Sequence, residues 1–157
     1  MTKTVYVIDA NVCINLPLRY PIDLFPSLWE MLKQLLVSER AILPEEILVE
    51  TGKSSNTFRT WFNSLGVSTT YLLEYQDADC ALQRVLRVCQ VQQMKGEDPV
   101  LVANAVELQD EGVIPIVVSE EKTSRGCLPL KVPDMCNRFQ IQCLKFFDFL
   151  RLEQFKV

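Results

Sequence analysis

The chain contains no histidine in 157 residues. Without an imidazole, neither a Ser-His-Asp nor a Cys-His mechanism has its general base, and chemistry must come from carboxylates, lysines or metal. Six cysteines stand at 13, 80, 89, 127, 136 and 143, with no CxxC pair among them. Together with the missing histidine this removes the usual zinc-site patterns. No run of about eighteen uncharged apolar residues exists, so no membrane span is expected. The opening MTKTVYVIDANV lacks the pattern of a cleavable signal peptide. These features predict a soluble, cytoplasmic protein with buried, reduced thiols, the apolar neighbours of Cys13, Cys89 and Cys143 arguing the same way. A basic excess is missing too: the net charge is −4 and the pI near 4.9. Any nucleic-acid binding must then use a local basic surface or a metal.

What is present is apolar material, 48% of the chain. This suffices for one core, and residues 1–157 are expected to form a single domain. TVYVID (4–9) is a β-branched run ending on an acid, as a buried parallel strand would. The prolines of NLPLRYPIDLFP predict a loop. In SLWEMLKQLLVSER (27–40), Leu28, Met31, Leu32, Leu35 and Leu36 recur at helical spacing, a stripe that suits the core better than an exposed dimer groove. AIL (41–43) reads as a short strand or connector, and PEEILVETG as a helix with Pro44 in its first turn and Gly52 as its stop.

Further helices are expected over 56–66, from the DADC segment at 77 to about 96, and over 98–112; strands are expected at 68–74, 113–121 and IQCL, before a terminal helix carrying Phe146, Phe149 and Leu150 on one face. Strands and helices alternate without repeats or low-complexity tracts. This predicts an α/β fold, a three-layer α/β/α domain with a mainly parallel central sheet.

In such sheets ligands sit beyond the carboxyl ends of the strands, where strand order reverses. Asp9 and the Ser119–Glu121 stretch follow the two clearest strands, so both should reach that crevice. Helices add Glu50, one turn after Glu46, and Asp98 at a helix start. Taken singly, a Glu on a short helix is usually solvated and an Asp before Pro is usually a cap. Carboxylates brought together repel, and the usual resolutions are a shared proton or an oxygen-seeking cation, Mg²⁺ or Mn²⁺.

YVIDANVCINL, LPEEILVE, EDPVLVANA and VVSEE resemble, in order, the four acidic motifs of PIN-domain ribonucleases. RYPIDLFPSLWEML and KVPDMCNRFQIQCL are similar to a PIN-like subfamily of unknown function related to VapC-type toxins. The resemblance implies that Asp9, Glu50, Asp98 and Glu121 are the catalytic, metal-binding acids, with Asn11 and Ser119 in support. Glu46 and Glu120 are their near alternatives, since a one-residue shift in a helix or strand end exchanges the candidates. Ser119 and Glu121 stand where the wider family more often has Thr and Asp.

The resemblance further implies metal-assisted hydrolysis of RNA by the toxin half of a toxin-antitoxin pair, with an antitoxin protein as partner and a homodimer as a further option. The alternative is a PIN-like binding module of weak or no nuclease activity, controlled by a protein partner. A phosphoryl-accepting role for Asp9 is disfavoured, because Asn11 stands where phosphatases of that kind need a second Asp. Arg19, Lys53, Arg59 and Lys122 are candidate phosphate contacts, although scattered surface cations are the commoner case. Trp61, Phe62 and Tyr71 could stack on bases, but helical spacing with Phe58 and Leu65 assigns the first two to the core.

Overall fold

A computed structural model describes residues 2–67, 81–89, 98–123 and 130–156. Four strands, β1 (Thr4–Ile8), β2 (Ala41–Ile42), β3 (Ile114–Val118) and β4 (Gln142–Leu144), form a sheet in the order β2-β1-β3-β4. Every pairing is parallel, with Tyr6 opposite Ala41, Val7 opposite Val117 and Val117 opposite Cys143. Helices flank the sheet to give a three-layer α/β/α fold. They are α1 (Ala10–Arg19), α2 (Pro26–Val37), α3 (Glu45–Ser54), α4 (Asn56–Ser64), α5 (Ala81–Val88), α6 (Asp98–Asp110), α7 (Val132–Arg138) and α8 (Phe146–Leu152).

The sheet is parallel because its strands are apolar on both faces: Val5 to Ile8 and Pro115 to Val118 are buried without alternation. A proline lies within β3, at a tolerated place. Pro115 pairs with Val5 of β1, whereas pairing to β4 begins only at Ile116, so the missing N–H removes no bond to β4. Helix α6 is the central helix, with Pro99 through Val106 all buried. It ends where Gly112 takes φ +84°.

Three expectations are corrected. The proline-rich segment after Asp9 begins as helix, not loop: α1 runs through Pro17 to Arg19. Pro17 has no N–H for the Cys13 carbonyl, but Val12, Cys13 and Leu16 are buried on the same helix, and this apolar burial outweighs the lost bond. The indole of Trp29 fastens the end of α1, donating to the Tyr20 carbonyl at 2.7 Å. Helix α3 continues through Gly52 to Ser54. Gly52 is there for close approach: a Cβ would lie 3.0 Å from Cδ of Arg59, whose guanidinium donates to the Leu48 carbonyl at 3.2 Å. Helix α2 stops at Val37, three residues short, because Glu39 turns the chain with φ 61°.

Leu28, Trp29, Leu32, Leu35 and Leu36 are all buried, so the α2 stripe is core. Phe58 and Phe62 are buried, and the Trp61 ring meets Trp29 edge-on at 4.9 Å. Among the described cysteines, Cys13, Cys89 and Cys136 are buried, Cys143 is half-buried, and all four are free thiols. The expected strand at 68–74 with Tyr71, and the ends of the helix expected around α5, lie outside the described residues. The chain's last turn is tied back to the sheet by Glu153, which accepts from the Tyr6 hydroxyl at 2.5 Å and pairs with Arg40 at 2.7 Å. No helix among the described residues is long and apolar enough to cross a membrane.

Candidate metal centre

Strand order reverses between β1 and β3. The chain leaves β1 towards β2 on one side and later returns past β1 to lay down β3 on the other. A crevice therefore opens at their carboxyl ends. Asp9 leaves β1 there, its N–H donating to the Val118 carbonyl at 2.9 Å, and its side chain caps α1 by accepting from the Ala10 N–H at 2.7 Å. Ser119 leaves β3 beside it. The Ser119 hydroxyl donates to the second Asp9 oxygen at 2.6 Å and accepts from the Glu121 N–H at 3.2 Å. Asn11 completes the brace, donating to Ser119 Oγ at 3.4 Å and accepting from the Glu120 N–H at 3.2 Å.

Asp98 comes from the first turn of α6, where the helix dipole favours a negative charge. Asp9, Asp98 and Glu121 each offer a carboxylate oxygen within 4.8 Å of the others. None of the three is ion-paired to a lysine or arginine among the described residues. Burial, opposed by the bonds from Ser119 and Ala10, pushes the Asp9 carboxyl above its usual range, and Glu121 adds to the rise. For Asp98, burial and then the charges of Glu121, Asp9 and Glu50 raise the pKa to about 7, and a hydrogen bond to Glu121 reinforces this. Near neutral pH the group thus holds its proton far more readily than a free carboxyl would, beside three other acids.

Glu50 acts on Asp98 through its charge but stands outside the group of three. It extends from α3, where Ile47, Leu48 and Thr51 turn into the core, and Glu46 sits one turn earlier, half-buried. The consecutive pair Glu120 and Glu121 divides cleanly. Glu121 joins the acids and also accepts from the Val132 N–H at 2.9 Å, whereas Glu120 accepts from the Phe146 N–H at 2.8 Å, at the start of α8. The Val132 and Phe146 amides were not read from the sequence as carboxylate partners. The signals that helices begin there are the Lys-Val-Pro start of α7, with Asp134 in its first turn, and the Lys145 boundary of α8, with Asp148 in its first turn.

The donor set fits a hard cation. It consists of carboxylate oxygens alone, the chemistry that Mg²⁺ and Mn²⁺ prefer. A cavity of about 650 Å³ lies elsewhere, near Lys3 and Val113 at the amino ends of β1 and β3, and none of these acids lines it. Charge and topology place the candidate site at the opposite end. Of the other sequence candidates, Arg59 is engaged with Leu48 and Glu45, and Lys122 lines a shallow cavity with Ser119 and Glu121.

No curated protein and no solved structure matches the chain. A family model described as a domain of unknown function (DUF4411) matches residues 6–157, from the middle of β1 through α8, and the chain belongs to that family.

Proposed function

We propose that the chain is a metal-dependent ribonuclease of PIN type, with Asp9, Asp98 and Glu121 holding Mg²⁺ or Mn²⁺ and Glu50 completing the negative field. The observation that carries this reading is the convergence of three acids from three separate elements on one point, without a cation among the described residues to balance them. Such an arrangement is costly to the fold unless a ligand repays it. When bound, a divalent cation offsets the repulsion between these carboxylates and a phosphodiester and lowers the pKa of water, which replaces the absent imidazole base.

The protein's own residues supply placement. Asp9 is fixed by two donors, Ala10 N–H and Ser119 Oγ, so its carboxylate keeps one orientation. Asp98, whose pKa burial and its acidic neighbours raise to about 7, would give up its proton to a cation entering the site. Glu121 is oriented at its backbone by Ser119 and at its side chain by Val132. Neutralisation of the acids is also what allows a chain of net charge −4 to accept a polyanion.

The test is a Mn²⁺ titration followed by thermal unfolding, alongside cleavage of RNA. Saturation to 100 times Kd should stabilise the fold by about 2.7 kcal/mol. Asp9→Asn should remove both that shift and the cleavage while the chain stays folded; unchanged cleavage would refute the assignment. The alternative, a partner-controlled module without catalysis, draws on the exposure of Leu18 and Leu24, 76% and 70%. A fold indifferent to Mn²⁺ would select it.

A further inference from the structure

Helices α1 and α8 enclose a cavity of about 200 Å³. Val12, Asn15, Leu16 and Arg19 line it from α1, spaced three, four and seven apart, so they form a single stripe. Asp9 caps this same helix. At 1.5 Å per residue, Arg19 lies roughly 15 Å along α1 from Asp9. Glu120, on the opposite wall, directly precedes Glu121 in the chain. The cavity and the metal centre thus share helix α1 and the segment that follows β3.

The lining combines apolar, aromatic and cationic groups. Leu16 and Phe146 are buried at its base, while Phe147 is 56% exposed, with its ring edge-on to Tyr20 at 6.3 Å. The acids that line the groove are already engaged: Glu120 accepts from the Phe146 N–H, and Asp148 pairs with Arg151 at 2.9 Å. Arg19 and Lys145 form no ion pair among the described residues, and the Lys145 ammonium reaches only the Glu120 carbonyl, at 3.4 Å. A flat apolar ring beside cations without carboxylate partners complements a nucleotide, which presents a planar base next to a phosphate. In a duplex the bases are stacked inside and cannot reach such a slot.

We propose that the α1–α8 groove is a nucleotide subsite for single-stranded RNA leaving the acid cluster, with an unstacked base against Phe147 and phosphates at Arg19 and Lys145. This rests on the nuclease reading above. The experiment uses the full chain and a fluorescein-labelled, mixed-sequence 12-nucleotide RNA, with anisotropy recorded in Ca²⁺, an oxygen-seeking cation that neutralises carboxylates. Gel analysis checks that the strand is intact. Phe147→Ala should weaken binding about five-fold or more, and Phe147→Tyr should restore it. The Arg19→Ala/Lys145→Ala pair should reduce the slope of log K against log salt by about 1.4. Mn²⁺ stabilisation should be unchanged in all of these variants.

Equal RNA binding by wild type and Phe147→Ala, with Mn²⁺ stabilisation intact, overturns the subsite and leaves the nuclease reading standing. Equal affinity for a duplex of the same sequence also overturns it. If Phe147→Ala instead turns a dimer into a monomer with RNA binding unchanged, the face belongs to a second copy of the chain and the proposal fails. A wild-type chain that neither binds RNA nor responds to Mn²⁺ overturns both readings.

Discussion

Asp98→Asn should make the metal-free protein more stable at pH 8 while abolishing its response to Mn²⁺. The carboxyl of Asp98 titrates near 7 because of burial and the charges of Glu121, Asp9 and Glu50. Its pKa when folded lies above that of the unfolded chain, so the folded state holds the proton more tightly. The stabilising contribution is complete below pH about 4 and is lost as pH rises through about 7. The shift corresponds to a ceiling of about 4 kcal/mol. Solvent reaches the half-buried group, and screening reduces this to on the order of 2 kcal/mol. Asparagine keeps the shape and carries no charge, so the variant should avoid most of that loss. For a domain of this size the gain is a Tm increase of roughly 4–8 °C at pH 8, shrinking towards zero near pH 4. Differential scanning calorimetry from pH 4 to 8, with EDTA and then with Mn²⁺, measures both effects. A variant less stable than wild type at pH 8, or one that keeps the Mn²⁺ shift, would refute the reasoning.

Three other substitutions separate structural from site roles. Glu120→Gln should keep Mn²⁺ stabilisation, because its carboxylate serves the Phe146 amide; denaturant unfolding should register a loss of only about 1 kcal/mol. Tyr6→Phe should cost about 1–2 kcal/mol, since Glu153 loses the donor that ties the chain end to β1 but retains Arg40; urea melts would detect it. Ser119→Ala leaves a buried Asp9 oxygen without its donor, at a cost of about 1–3 kcal/mol. It also removes an influence that lowers the Asp9 pKa, so Mn²⁺ binding followed by calorimetry should shift to higher pH, and Ser119→Thr should reverse this.

The fold was legible wherever one periodicity ruled. The β-branched runs at 4–8 and 114–118 and the leucine stripe of α2 could bury themselves in only one kind of element, and they did. Local signals failed where tertiary contact overrode them. Pro17 looked like a loop marker, yet Val12, Cys13 and Leu16 hold it in a helix; Gly52 looked like a stop, yet the nearby Arg59 side chain explains it as packing. Neither could be seen without knowing what lies alongside. Helix α6 shows another limit, since a helix buried all round has no polar face to reveal its orientation.

At the site, each acid was legible to the degree that its position depended on backbone direction rather than on side-chain partners. Asp9 follows the last residue of a strand at the switch point, so topology alone delivered it. Glu120 and Glu121 come after β3 has ended, beyond Ser119, where the two-residue alternation of a strand no longer says which side chain turns inward. What decides between them is supplied from later in the chain: the Phe146 amide draws Glu120 to α8, and the Val132 amide holds Glu121 at α7, within reach of Asp9 and Asp98. The choice between two adjacent glutamates is thus made by helix starts 11 and 26 residues downstream. It follows that changes at those helix starts, well away from any acid in sequence, should alter which glutamate faces the centre.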